Sequence, residues 1–95
     1  EEMKRFGDKE VYIMGEVKYP RAIPILGKNI TVLEAIAKAQ GFTDFAAPNR
    51  TTVTRFENGV EKVIIVDLKK AKKGDRSQDI ILKPGDLVVV PETFF

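Results

Sequence analysis

The sequence predicts an α+β fold in which one main helix packs across a mixed sheet of about five strands. Three observations predict it. Apolar residues alternate with period two over residues 11–17, a helix-capping pattern begins at Thr31, and Asn58-Gly59 separates two apolar runs of strand length. At 95 residues, of which 43% are hydrophobic, the chain has the length and apolar content of one folded domain.

The first predicted element is a strand over residues 11–17 that ends before Pro20. Residues 22–26 form a second short apolar run, and the tight connection at Pro20-Arg21 predicts that the two strands form a hairpin. Pro24 has no backbone N–H to donate to a neighbouring strand, so we expect it at a sheet edge or a bulge.

The main helix is predicted to begin at Thr31. Thr31 and Glu34 have the spacing of a capping box, in which each side chain accepts a hydrogen bond from the backbone N–H of the other residue. Leu33, Ile36 and Ala37 are predicted to share the apolar face, and Glu34 and Lys38 to form an i,i+4 pair on the opposite face. Gly41 is expected to be the left-handed residue that ends the helix, with Phe42 packing back over Ile36 and Ala37.

The second hairpin is predicted from residues 51–56 and 60–67, joined by Asn58-Gly59 in a type I′ turn. The turn fixes the register, which places Val53 opposite Ile64 and Thr52 opposite Ile65. Residues 45–50 before the hairpin are predicted to form a loop.

The last part of the chain contains a predicted helical turn over residues 69–74 and a short strand over residues 79–82. A type II turn is then predicted at Lys83-Pro84-Gly85-Asp86, because Pro and Gly occupy its two central positions. Residues 87–90 are four consecutive apolar residues, which is typical of a central strand covered on both faces. One helix across such a mixed sheet is the β-grasp arrangement.

Composition excludes several classes of function. The chain has no His and no Cys, which excludes imidazole or thiolate metal sites, Cys nucleophiles and His-based triads. Its 16 basic and 14 acidic residues give a net charge of +2, without the basic stripe typical of nucleic-acid binding. We therefore expect no catalytic residues, no metal, no cofactor and no nucleic-acid partner. No apolar stretch is long enough for a membrane span, and the absence of Cys is compatible with either the cytosol or the periplasm.

Four segments together resemble the soluble-ligand-binding β-grasp (SLBB) domain of the Wza-like bacterial polysaccharide biosynthesis and export proteins. They are VYIMGEVKYP at residues 11–20, TVLEAI at 31–36, GFTDFAAPNR at 41–50 and LKPGDLVVVP at 82–91. The chain departs from the family pattern at Arg21, where Pro-Gly is typical of the first turn, and at Gln40, where a second Gly is common. The resemblance covers residues 10–92, which leaves residues 1–9 as a charged lead-in and residues 93–95 as a truncated tail.

The resemblance implies a non-enzymatic module in the periplasm, within an export protein associated with the outer membrane. Such proteins assemble into rings that help to form the exit path for capsule or exopolysaccharide. The implied partners are other copies of the parent protein, inner-membrane export machinery and the polysaccharide itself. Because related β-grasp domains also occur in vitamin-B12 carriers, a receptor module for a small ligand or sugar remains the alternative function.

Four residues are candidates for ligand or partner binding: Tyr19, Arg21, Asn49 and Arg50. The Tyr19 ring could stack on a sugar while its hydroxyl stays hydrated, and Arg21 lies in the same turn. The Arg50 guanidinium could bind a uronic carboxylate or an acidic residue of a neighbouring subunit. The alternative is structural, with Asn49 closing a local turn and Arg50 solvated.

Two further groups of residues have both a functional and a structural explanation. The cluster Lys69, Lys70, Lys72, Lys73 and Arg76 could attract acidic polysaccharide, although such a run is usually a solvated face. A glycoside hydrolase would need two carboxylates about 5–9.5 Å apart in a cleft. The aspartates are the candidates for such a pair, but Asp86 is better explained as a turn residue beside Gly85.

Overall fold

The computed structural model describes residues 9–94, and these form a five-stranded mixed sheet with one main helix. The strands are β1 (Glu10–Gly15), β2 (Arg21–Pro24), β3 (Thr51–Glu57), β4 (Val60–Val66) and β5 (Leu87–Val90). The helices are α1 (Val32–Lys38) and the single turn α2 (Leu68–Lys72), with 3-10 turns at Pro48–Arg50 and Arg76–Gln78. The predicted α+β class is confirmed. Most of the predicted lead-in (1–9) and the last residue of the predicted tail lie outside the described residues.

The sheet has the strand order β2-β1-β5-β3-β4. Strands β1 and β5 are parallel, and the other three pairings are antiparallel. Strand β5 therefore lies at the centre of the sheet, as its continuous apolar run predicts. The expected cover on both faces is not present, because Val88 and Val90 are fully buried whereas Leu87 and Val89, on the other face, are only partly buried. Strands β2 and β4 form the two edges, and Pro24 lies on edge strand β2 as expected.

One face of the sheet carries the hydrophobic core, and α1 supplies the other side of that core. Val11, Ile13, Val53 and Val88 are fully buried and belong to one cluster with the helix residues. The helix prediction was partly wrong: the buried positions are Val32, Ala35, Ile36 and Ala39, whereas Leu33 is only partly buried and Ala37 is exposed. The spacing i, i+3, i+4, i+7 starting at Val32 forms the apolar stripe, one residue earlier than predicted.

Helix α1 begins with the predicted capping box and ends differently from the prediction. The Thr31 N–H donates to Glu34 Oε1 at 2.8 Å, and the Glu34 N–H donates to Thr31 Oγ1 at 3.2 Å. At the other end, Gln40 takes the left-handed conformation with φ 72°, and Gly41 follows with φ 89°. The Gly41 N–H reaches Ile36 O, and the Gln40 N–H reaches Ala37 O, both at 3.0 Å. This is a Schellman motif with Gln40 rather than Gly41 in its left-handed position.

Both predicted turns of the second half are confirmed. Asn58 and Gly59 have φ values of 55° and 77°, as a type I′ turn requires, and the register pairs Val53 with Ile64 and Thr52 with Ile65. In the turn before β5, Gly85 has φ 90° and the Asp86 N–H donates to Lys83 O at 3.0 Å. The helical turn predicted at residues 69–74 is present as α2.

Two strand predictions were wrong. Strand β1 ends at Gly15, not near Val17, because Gly15 has φ 89° and turns the chain out of the sheet. Residues 79–82 form only an isolated bridge between Thr31 and Ile81, because their backbone bonds go to the residues that enter α1 rather than to a neighbouring strand. None of the helices among the described residues has the length and apolar character of a membrane span.

Candidate ligand and partner surface

The four predicted site residues all lie at one end of the sheet. Arg21 begins β2, and the 3-10 turn that contains Asn49 and Arg50 leads into β3. Parallel strands β1 and β5 both end here, at Gly15 and Val90. The loops at this end are therefore brought together by strand direction, although they are distant in sequence.

Tyr19 and Arg21 form one unit at this end. The Arg21 Cζ lies 5.2 Å from the centroid of the Tyr19 ring, within the range of a cation–π contact. The loop is held against the end of α1, because the Tyr19 N–H donates to Ala39 O and the Lys18 N–H to Gly41 O, both at 2.9 Å. Tyr19 remains 55% exposed, so part of its ring is available to a partner.

Arg50 is exposed, as the structural alternative predicts, and it also makes two specific contacts. Its Nη2 donates to Glu92 O at 2.8 Å, and its Cζ lies 5.0 Å from the centre of the Phe94 ring. Asn49 is exposed, and the local turn is closed by the Thr51 hydroxyl, which donates to Pro48 O at 2.9 Å. Arg50 therefore fastens the segment after β5 to the 3-10 turn.

The two pairs do not form a single pocket. Strands β1 and β5 lie between β2 and β3, and three strand spacings of about 4.8 Å separate the two positions by about 14 Å. Within residues 9–94, no hydrogen bond or ion pair connects Tyr19 or Arg21 with Asn49 or Arg50. A ligand that engages both pairs would have to span this distance.

A concave surface lies beside Arg21, along the side of α1. A cavity of 460 Å³ is lined by Pro24, Ile25, Leu26, Lys28, Asn29, Ile30, Glu34, Ala37 and Lys38. A second cavity of 300 Å³ is lined by Arg21, Ile23, Pro24, Leu26 and Lys38. The cavities share three residues and form one depression, which we call the β2–α1 groove. Sequence reasoning identified Arg21 of this groove and missed the others, because the groove arises from packing of distant segments.

The basic residues of α2 are exposed, as predicted for a solvated face, apart from one aromatic contact. The Lys72 Nζ lies 5.4 Å from the centre of the Phe42 ring, and Phe42 is itself partly buried against the core. The cluster therefore helps to cover the end of the core, in addition to its positive charge.

Three of the aspartates accept hydrogen bonds from backbone N–H groups. Asp67 and Asp75 accept hydrogen bonds from the first N–H groups of α2 and of the second 3-10 turn, and Asp79 accepts from the Leu33 N–H at 2.8 Å. The hydrogen bonds from Ser77 lower the pKa of the Asp75 carboxyl. Within residues 9–94 no cluster of three or more acidic side chains could hold a metal ion.

Asp86 is part of a buried ion pair that the sequence analysis missed. Its side chain is 1% exposed and accepts from Arg55 Nη2 at 2.8 Å, from Arg55 Nε at 3.1 Å, and from the Lys83 N–H at 2.8 Å. The bond to Asp86 raises the pKa of Arg55, which stays charged. Arg55 Nη2 also donates to Ile81 O at 3.1 Å, so the pair ties the turn before β5 to β3.

A mixed sheet crossed by a single capped helix, with β1 and β5 parallel at its centre, defines a β-grasp domain. The sequence matches the SLBB domain family over residues 9–90. The chain belongs to this family, whose domains are associated with ligand binding and export.

Proposed function

We propose that this domain is a non-enzymatic periplasmic module of a capsule or exopolysaccharide export protein, in which it contributes to ring assembly of the channel. The observation that carries the proposal is the SLBB match over residues 9–90. Its specific support is the set of four segments that resemble export proteins. They cover β1 with the loop after it, the start of α1, the loop before β3, and β5 with the turn before it.

The outer face of the sheet supports an assembly role. The register aligns Met14, Val89, Thr52 and Ile65 in one row across four strands, on the face opposite the core. Met14 is 51% exposed and Ile65 is 69% exposed, and Phe56 and Val63 on the same face are also exposed. A sheet face with several large exposed apolar side chains is typical of a domain that packs against another protein surface.

The proposal of a non-enzymatic role rests on side-chain chemistry. The chain has no His and no Cys, and four of its aspartates are engaged with backbone N–H groups at turns and helix starts. The alternative, a receptor module for a small ligand or sugar, is favoured by one observation, namely the β2–α1 groove beside Arg21.

The export role is tested in the cell that encodes the chain, in the intact parent protein. Ile65→Asp combined with Met14→Asp places two charges on the outer sheet face, where neither side chain is needed for the core. We expect loss of the assembled ring in electron micrographs and a large fall in surface polysaccharide. Lys70→Asp combined with Lys73→Asp, at exposed positions in α2 and just after it, is the control and should leave both the rings and the surface polysaccharide unchanged. Normal rings and normal surface polysaccharide in cells lacking residues 9–94 would overturn the proposal.

A further inference from the structure

The β2–α1 groove combines an aliphatic floor with a positively charged rim. Pro24, Leu26 and Ile30 contribute to the floor, and Leu26 is 81% exposed although it is a large apolar side chain. Arg21, Lys28 and Lys38 are exposed on the rim. The groove therefore places apolar surface next to positive charge, which suits a ligand with apolar and anionic parts.

The charges of the groove are not balanced within the described residues. Glu34 is its only acidic lining residue, and Glu34 Oε1 accepts from the Thr31 N–H at 2.8 Å. The i,i+4 pair that the sequence predicts between Glu34 and Lys38 is not formed: the ion pairs within 4 Å in residues 9–94 involve neither Lys38, Lys28 nor Arg21. The groove therefore presents cations without described carboxylate partners.

The backbone of β2 disfavours a peptide as the occupant. The Ile25 N–H donates to Lys9 O at 2.7 Å, across the pairing of β2 with β1. Because hydrogen-bonded and non-hydrogen-bonded pairs alternate between antiparallel strands, the backbone groups of Ala22 and Pro24 point away from β1. Proline has no N–H, which leaves Ala22 as the one residue of this edge with an outward donor. An added strand would therefore lack one of the four hydrogen bonds that residues 22 and 24 could otherwise exchange with it.

A sugar chain needs no such backbone pairing. The C–H faces of a pyranose ring can lie on the floor formed by Pro24 and Leu26, and its hydroxyls can bond the Asn29 amide. The carboxylate of a uronic acid can pair with the guanidinium of Arg21 or the ammonium groups of Lys28 and Lys38. We propose that the β2–α1 groove binds a uronate-containing stretch of an acidic polysaccharide. The choice of glycan rests on the proposed export function.

The test is a titration of the ¹⁵N-labelled domain with a galacturonic acid hexamer, followed by NMR at physiological salt. We expect shifts clustered at residues 21–30 and 34–38, and no shifts with the fully methyl-esterified hexamer, which has lost its negative charges. Lys28→Gln combined with Lys38→Gln should weaken binding about fivefold to tenfold, as expected for the loss of two partly exposed charge pairs. Lys70→Gln combined with Lys73→Gln also removes two positive charges, in α2 and just after it, and should change the affinity for the hexamer less than twofold.

Three results would overturn the inference: no shifts at millimolar hexamer, equal losses in the two double variants, or equal binding of the esterified hexamer. Equal losses of affinity in the two double variants would mean that the hexamer is attracted to positive charge anywhere on the surface. The outcome is independent of the ring and polysaccharide measurements on the outer sheet face. If the groove does not bind uronate, the proposed export function still stands. If the domain binds uronate but export does not need it, the proposed export function is wrong.

Discussion

Gln40 holds the most strained backbone position of the described helices. A left-handed conformation costs an L-residue about 1–2 kcal/mol, and Gln40, with φ 72°, bears this cost. Glycine would remove the strain but would also give the unfolded chain more freedom, worth about 0.4–1 kcal/mol. The relief of backbone strain is therefore larger than the cost of the added freedom in the unfolded chain.

We therefore expect Gln40→Gly to raise the free energy of unfolding by about 0.5–1 kcal/mol, measured by urea denaturation. Ala37→Gly is the matched control, because Ala37 is exposed inside α1, where glycine should lower stability by about 1 kcal/mol. A loss of stability in Gln40→Gly would mean that the Gln40 side chain contributes more than its backbone costs.

Asp86 and Arg55 show how a turn residue can carry a large part of the stability. Removing one partner of a buried ion pair costs about 3–5 kcal/mol, because the other charge loses its partner. We expect Asp86→Ala to lower the free energy of unfolding by this amount, and Asp86→Asn, which keeps an acceptor, to cost less. Asp44→Ala changes an exposed residue and should stay within about 0.5 kcal/mol. A small effect of Asp86→Ala in urea denaturation would contradict the structural role.

At the scale of elements, features set by neighbouring residues were predictable and those set by distant contacts were not. The capping box at Thr31 and the turn at Asn58-Gly59 depend on local geometry, and both are confirmed. The buried face of α1 and the missing strand at residues 79–82 depend on where the sheet lies. For the site, the sequence located Arg21, but it could not show that Lys28 and Lys38 share a groove with it.

The junction of β1 and β5 depends on Gly15. Gly15 has φ 89°, and a Cβ added there would collide with the carbonyl oxygen of Val90. We expect Gly15→Ala to lower the free energy of unfolding by at least about 2 kcal/mol, since it combines left-handed strain with a clash against backbone. Gly27→Ala is the control: Gly27 has φ 85° with open space around its Cβ, so only the strain of about 1 kcal/mol remains. Equal losses in urea denaturation would show that the contact with Val90 relaxes freely.

The tip of the second hairpin is predicted to respond to acid. Hydrogen bonds from Lys83, and then from Lys62, lower the pKa of Glu57 from 4.5 to about 2. Because the pKa of Glu57 is lower in the folded than in the unfolded chain, its carboxylate stabilises the fold when the pH is above about 4.5. This contribution is lost as the pH falls from about 4.5 to about 2. Glu57→Gln should therefore reduce the acid dependence of the urea midpoint in this range. Glu61 has no described ion pair, so Glu61→Gln should leave the acid dependence of the urea midpoint unchanged.

At the scale of the whole molecule, the outer sheet face is large enough to guide assembly but too small to drive it alone. Five strands of four to seven residues, about 4.8 Å apart, present a face of roughly 24 by 19 Å, or about 450 Å². A stable interface buries about 800 Å² on each partner. Face-to-face contact of isolated domains would therefore be weak, and the ring assembly that we propose would need further surfaces of the parent protein.

We accordingly expect the isolated domain to sediment as a monomer at micromolar concentration, because its apolar face falls short of the area that a stable dimer needs. Weak self-association at several hundred micromolar should be abolished by Ile65→Asp, which places a charge in the row shared with Met14 and Val89. Lys73→Asp, at the exposed residue that follows α2, should leave this self-association unchanged. A closed ring formed by these residues alone would show instead that the edge strand β4, or another surface, supplies the missing contact area.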